Sequence, residues 1–171
     1  MAVDTARIID GKAVAHRVKA EVAERVRGLA SAAWRTPGLA TILIGDDPAS
    51  AVYVAAKRRA CPEVGIQSFH HELPGDVTRE EVVALIDRLN ADTDVSGILC
   101  QLPLPPRLDG TEIANRIAPD KDVDGLTVAS AGRLALGLPT APTTASSATS
   151  TSTRSRRWWA RSRRCPAASA R

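Results

Sequence analysis

This chain of 171 residues has little of what usually announces a site: three cysteines, three histidines, one tyrosine, one phenylalanine and a single methionine. It has no apolar run of the roughly 20 residues that a bilayer-crossing helix needs. Its first residues lack the basic-then-apolar pattern of a secretory signal, so the cytoplasm is the expected compartment and no membrane partner is expected. Cys61, Cys100 and Cys165 stand at no metal-ligand spacing and are odd in number, which predicts free thiols in a reducing compartment. Cys100 lies inside an apolar run and reads as a small buried hydrophobe rather than a nucleophile. His70 and His71 are adjacent, and on a strand neighbouring side chains point to opposite faces, which argues against a shared metal. His16 falls between the apolar positions of a helical stripe and reads as exposed. No cluster of His, Cys and carboxylates supports a metal site, and none is expected.

The formal net charge of +4 is unevenly placed. Residues 141–171 hold seven Arg and no Lys, Asp or Glu, leaving 16 basic and 19 acidic side chains over residues 1–140, a net −3 there. A protein-wide inference to nucleic acid therefore does not follow. Those last 31 residues also contain seven Ser, five Thr and seven Ala but no Gly, Val, Ile or Leu. Without branched aliphatics they cannot build a core, so a disordered tail is expected. Within it, RSRRWWARSRR offers arginines for phosphates and Trp158-Trp159 for stacking or interfacial anchoring, which keeps nucleic-acid or membrane binding as an alternative function of the tail.

What is present is a body of a size for one good core, with alternating helical and strand patterns. Val14, Val18, Val22, Val26 and Leu29 form an apolar stripe that predicts a long amphipathic first helix. Residues 39–44, LATILI, follow Pro37-Gly38 as a buried strand. The turn GDDPAS supplies Asp47-Pro48 or Ser50 to start a helix over residues 49–64, which should stop near Gly65. Residues 66–73 predict a second strand. Thr78 and Glu81 have capping-box spacing, with Val82, Val83, Ile86 and Leu89 as the apolar face behind them. Residues 95–101 predict the third strand. This alternation favours an α/β, three-layer domain with a mostly parallel sheet flanked by helices and joined by right-handed crossovers.

In such sheets ligands collect beyond the carboxyl ends of the strands, and GDDPAS and QLPLPP both follow a predicted strand. Tyr53 and Lys57 are one helical turn apart, so phenol and ammonium share a face. Gln101 ends the third strand, and Asp124 sits in the turn KDVDG. Pro103, Pro105 and Pro106 stiffen the loop beside Gln101 and remove backbone donors. Taken singly, each has an ordinary explanation: a solvated helix pair, a strand-end amide, a turn aspartate. Together they make a site from one helix and two loops.

GDDPAS, YVAAK, the Gly65-Ile66 pair, GILCQLPLP and PDKDVDG, in this order and spacing, resemble the first half of the bifunctional methylenetetrahydrofolate dehydrogenase/methenyltetrahydrofolate cyclohydrolase family over about residues 8–138. The resemblance implies a folate-side catalytic domain over residues 1–140 and a role in one-carbon metabolism and purine biosynthesis. The family oxidises 5,10-methylenetetrahydrofolate with NADP⁺ and hydrolyses the methenyl product to 10-formyltetrahydrofolate, in a cleft between two domains of a homodimeric enzyme. By the same resemblance Lys57 is the principal catalytic residue, Gln101 aims it, and Tyr53 stacks on the folate rings. Asp124 binds the amino-pyrimidine of the pterin, and Leu102 and Pro103 complete the substrate contacts. Lysine has a reference pKa near 10.4, so acting as a base calls for desolvation or nearby positive charge, with Arg58 and Arg59 as candidates.

Two departures stand out. After KDVDG the family commonly has His-Pro and an Asn before Gly-Arg-Leu, whereas this chain has Thr127 and Ser130 at those places, and these bear on the geometry beside Asp124. Residues 141–171 contain no glycine for the phosphate turn of the family's Rossmann-like domain, so that domain is not expected beyond Pro142, and the stretch reads as out-of-frame translation. No dinucleotide site is expected, no bound cofactor is expected for this chain, and dehydrogenase activity should be absent with cyclohydrolase weak. A non-catalytic folate-binding fragment is the remaining alternative.

Overall fold

The computed structural model describes residues 10–31 and 35–138; the expectations for the basic tail, its disorder and its reading frame, and for Cys165, lie outside these residues. In chain order the elements are α1 (Gly11–Ser31), β1 (Gly38–Ile44), α2 (Pro48–Glu63), β2 (Gln67–Leu73), α3 (Arg79–Ala91), β3 (Gly97–Cys100), α4 (Gly110–Arg116) and α5 (Val128–Ala135). The sheet is fully parallel in the order β2-β1-β3, with Leu39 opposite Ser68 on one side and Gly97 on the other.

The near-continuous apolar sequence of β1 follows from its central place, since both of its faces are covered. Ala40, Ile42 and Ile44 join Val82, Ile86 and Leu89 of α3, and Ile113 of α4, in one core cluster. Thr41 and Leu43, pointing the opposite way by strand alternation, are buried on the face that α2 covers. Helices on both faces of the sheet give the expected three layers.

Local signals start and stop these helices. Asp47 caps α2, accepting from Ser50 N–H at 2.7 Å, and Pro48 occupies the first helical position, where no donor is needed. At its far end Gly65, at φ +81°, lets Gly65 N–H reach Pro62 C=O and Ile66 N–H reach Cys61 C=O, the double bond that closes a helix on a left-handed residue. The Thr78–Glu81 capping box is formed in both directions. α3 and α4 are joined by the Arg116–Asp87 fork at 2.6 and 2.7 Å and by the Arg79–Glu112 pair.

The apolar stripe of α1 is the part that departs from expectation. Only Val26 of the five stripe residues is buried, while Val14, Val18 and Leu29 are each more than 40% exposed. Among the described residues the main partner of α1 is α2 and the turn after it, through Val26 against Gly65 and the Lys19–Glu63 ion pair, and most of its stripe stays exposed.

Candidate functional site

The site lies where the sequence rules place it, beyond the carboxyl ends of β1 and β3. α2 carries Tyr53 and Lys57 on one face, and the segment leaving β3 carries Gln101, Leu102 and Pro103. Lys57 Nζ donates to Gln101 Oε1 at 3.2 Å. The side-chain amide of Gln101 is thus engaged at both ends, because its Nε2 donates to Leu102 C=O at 2.8 Å, and its backbone is held by the N–H donating to Ile42 C=O at 2.9 Å. Leu102 C=O also accepts from the hydroxyl of Ser50, a buried side chain, at 3.5 Å. The Leu102–Pro103 peptide is cis. Tyr53 stands one turn before Lys57 and is 64% exposed, which leaves its ring face open.

Asp124 completes the set electrostatically. Desolvation pushes its carboxyl above the usual aspartate range, the Lys57 charge pulls it back, and Asp122 adds to the rise. The charged neighbour of Lys57 is thus a carboxylate, and Arg58, one of the two cations expected beside it, reaches instead toward Glu72 on β2, at 3.9 Å. A concavity adjoins the cluster, with apolar walls from Ile98, Leu102, Ala114, Ile117 and Leu126 and carboxylates from Asp122 and Asp124. It meets the predicted residues at Leu102 and Asp124 and ends short of Tyr53, Lys57 and Gln101.

Other candidates fall away from this place. His70 shares Glu72 with Arg58, at 2.7 Å from the imidazole, while His71 is shifted down by desolvation, by His70 and by Arg88. Their different neighbours fit opposite strand faces. Among the described residues no group of three or more His, Cys, Asp or Glu is arranged to hold a metal. Burial, with a smaller contribution from Asp124, pushes the Cys100 thiol up to about 12. Cys100 therefore remains neutral at any ordinary pH, and a disulfide reagent at pH 8 should modify it only at the rate of global unfolding. Modification in the native protein as fast as that of a free thiol would contradict this burial.

Sequence reasoning passed over Asp122, and it took Ser50 only as a possible helix start and Thr127 only as a departure from the family pattern. Thr127 caps α5, accepting from Ser130 N–H at 3.1 Å and donating to Ser130 Oγ at 2.9 Å, both side chains being buried. The two departures from the family pattern thus pair with each other.

A model of the tetrahydrofolate dehydrogenase/cyclohydrolase catalytic domain matches residues 9–124. The chain belongs to this family. It is 58% identical over 135 residues to a bifunctional protein FolD 2 of Frankia alni, covering 79% of this chain and 47% of that protein. To the bifunctional protein FolD of Sphingopyxis alaskensis it is 55% identical over 137 residues, covering 80% of this chain and 45% of the relative. Among solved structures, the FolD enzyme of Campylobacter jejuni superposes with a TM-score of 0.74 at 43% identity, over 77% of this chain and 46% of that one. The 5,10-methylenetetrahydrofolate dehydrogenase of the silkworm Bombyx mori gives 0.77 at 40%, over 79% and 47%. The chain spans about half the length of the curated relatives it matches. No helix among the described residues is long and apolar enough to cross a membrane.

Proposed function

We propose that this chain binds a reduced folate and supplies the folate-side chemistry of a methylenetetrahydrofolate dehydrogenase/methenyltetrahydrofolate cyclohydrolase, with residues 1–140 as the catalytic domain. The observation that carries this reading is the Lys57–Gln101 hydrogen bond of 3.2 Å, made between residues 44 apart in sequence, with Asp124 close enough for Lys57 to act on its charge. An amine aimed by an amide, an open phenol ring and a carboxylate with no hydrogen bond among the described residues are what a flat, cationic, amino-substituted ring system requires.

In the cyclohydrolase step, water adds to the bridging carbon of the methenyl cation and gives up one proton to Lys57, whose neutral form the adjacent cationic ligand favours. The resulting carbinolamine then breaks its bond to N5, the hydroxyl proton moving to that nitrogen, so that hydrolysis releases one proton overall. Gln101, anchored through Leu102 C=O, fixes the direction of the amine, and orientation of this kind is worth far more than the hydrogen bond itself. Tyr53 stacks on the ring, Leu102 and Pro103 form its wall, and Asp124 accepts from the amino-pyrimidine through a charge-assisted bond.

NADP is the family's hydride acceptor, and a related protein from Trypanosoma brucei has been solved with an NADP cofactor and an inhibitor. The described residues do not fit that group. A pyrophosphate needs free N–H groups at a helix start, yet Asp10, Asp47, Thr78, Asp109 and Thr127 each occupy the start of their own helix with a side chain. No step here runs through NADP.

Binding of tetrahydrofolate, measured by anaerobic calorimetry, tests the reading. The affinity should fall as pH drops through the raised pKa of Asp124, because the ligand prefers the carboxylate and pulls against protonation. That loss begins at a higher pH than for an ordinary aspartate. Binding without turnover of 5,10-methenyltetrahydrofolate selects the non-catalytic folate-binding alternative, and absence of binding refutes both.

A further inference from the structure

The segment between β3 and α5 is organised by a residue that no catalytic role has claimed. Asp122 begins it by pairing as a parallel bridge with Ile98, whose N–H donates to Lys121 C=O at 2.7 Å. Its Oδ1 then accepts from Gly125 N–H at 2.9 Å and Leu126 N–H at 3.3 Å, and its Oδ2 from Thr127 N–H at 2.9 Å. One carboxylate therefore ties together three successive backbone donors, with Gly125 at φ +70° making the bend possible. Desolvation pushes the Asp122 carboxyl up, but the backbone bonds from Thr127 and Leu126, helped by the nearby Ser130 and Thr127 side chains, outweigh it and hold the group below the usual range.

The loop so closed has little freedom on its other side. Lys121 Nζ donates to Leu89 C=O at 2.9 Å and Asp92 C=O at 2.6 Å at the end of α3. A Cβ on Gly97 would come within 2.4 Å of Val123 Cγ1, so strand and loop touch directly. Val123 and Asp124 form the tip of this ring. Asp124 has no hydrogen bond among the described residues, and its carboxylate is thus presented, unspent, at the mouth of the concavity.

We propose that Asp122 is a positioning residue that sets the direction of the Asp124 carboxylate, with the buried Thr127–Ser130 pair as its support. The inference rests on the folate reading only for its binding arm. Three donors converging on one carboxylate cannot be served by an amide of the same shape, whose NH₂ would meet the Thr127 N–H donor to donor. Asp122→Asn should therefore loosen the ring while leaving the sheet and α3 in place.

The deciding experiment is a double-mutant cycle on tetrahydrofolate affinity with Asp122→Asn and Asp124→Asn, alongside amide hydrogen exchange of the ligand-free protein. Asp122→Asn alone should weaken binding about tenfold, the equivalent of one charge-assisted hydrogen bond lost. In the Asp124→Asn background it should add less than about twofold, because Asp122 acts through Asp124. An equal loss in both backgrounds, or no loss in the first, overturns the proposal. The amides of Gly125, Leu126 and Thr127 should exchange about tenfold faster in Asp122→Asn while those of β1 keep their protection; unchanged exchange at these three also overturns it. If Asp122→Asn does not fold, Ser130→Ala, which removes one hydroxyl donor and no backbone contact, is measured in the same cycle with the same criteria. Should the parent chain not bind tetrahydrofolate, the folate reading fails and the exchange result alone decides the role of Asp122.

Discussion

Replacing Lys57 by alanine should lower the rate of 5,10-methenyltetrahydrofolate hydrolysis by about 10²- to 10⁴-fold, the range set by losing a positioned proton acceptor. The comparison is with background hydrolysis in the same buffer, and a variant that keeps the parent rate shows the parent signal to be background as well. The geometry distinguishes two kinds of loss. If Lys57 is the proposed proton acceptor, Lys57→Ala should lower kcat while tetrahydrofolate affinity stays near that of the parent. Gln101→Ala leaves the amine in place but frees it from the 3.2 Å contact, so the rate falls by less, about 10²-fold at most for a misaimed group. Arginine at position 57 is not a conservative test, since a guanidinium stays protonated and cannot take a proton. Alanine or methionine is informative there.

The three strands and the helices between them are legible in the sequence because periodicity and end signals agree. GLATILI is apolar throughout and becomes the central strand, and Thr78 with Glu81 becomes a two-way cap. The third strand is shorter than the apolar run implies. Val95 and Ser96 are spent on the turn, where Ser96 N–H donates to Gly38 C=O, and pairing starts at Gly97. α4 and α5 escape sequence reading for a physical reason. They are seven and eight residues long, too short to show an apolar stripe, and their starts rest on the caps Asp109 and Thr127. The stripe of α1 misleads in the opposite direction, since periodicity reports a face fit for burial and cannot say what covers it.

For the site, residue types and spacing lead to Lys57 and Gln101 but not to the role of Asp122. Two aspartates flank one valine in KDVDG, and nothing in the pattern tells a carboxylate spent on its own backbone from one left open to a ligand. Only the count of hydrogen bonds separates them: three backbone donors on Asp122, none on Asp124 among the described residues. Thr127 and Ser130 look like isolated departures in the sequence because their pairing across one helical turn is a capping contact, visible once α5 is in place.

The place where core and site are one structure is Ile98, and its truncation should have the largest effect on stability. The side chain is fully buried, belongs to the core cluster with Ile42 and Ile86, and forms part of the concavity beside Asp124. Ile98→Ala should cost about 2–5 kcal/mol, the transfer energy of the lost methyl groups plus that of the cavity left behind. Against a total stability of about 5–15 kcal/mol for a domain of this kind, such a loss unfolds an appreciable fraction of molecules. In urea the midpoint should fall with the slope unchanged, because the surface exposed on unfolding is nearly the same. Ile98→Val, which removes a single methylene, should cost about 0.5–1.5 kcal/mol and keep the backbone bond to Lys121 C=O that anchors the Asp122 loop. Both variants keep that main-chain bond, so the difference between them reports packing. Ile98 and Cys100 both line the concavity and belong to the same core cluster, so the alanine variant should also loosen the packing around that buried thiol and bring its modification above the rate set by global unfolding. An unchanged urea midpoint in Ile98→Ala would mean that the concavity closes over the missing methyls, and with it the wall on which Asp124 is displayed.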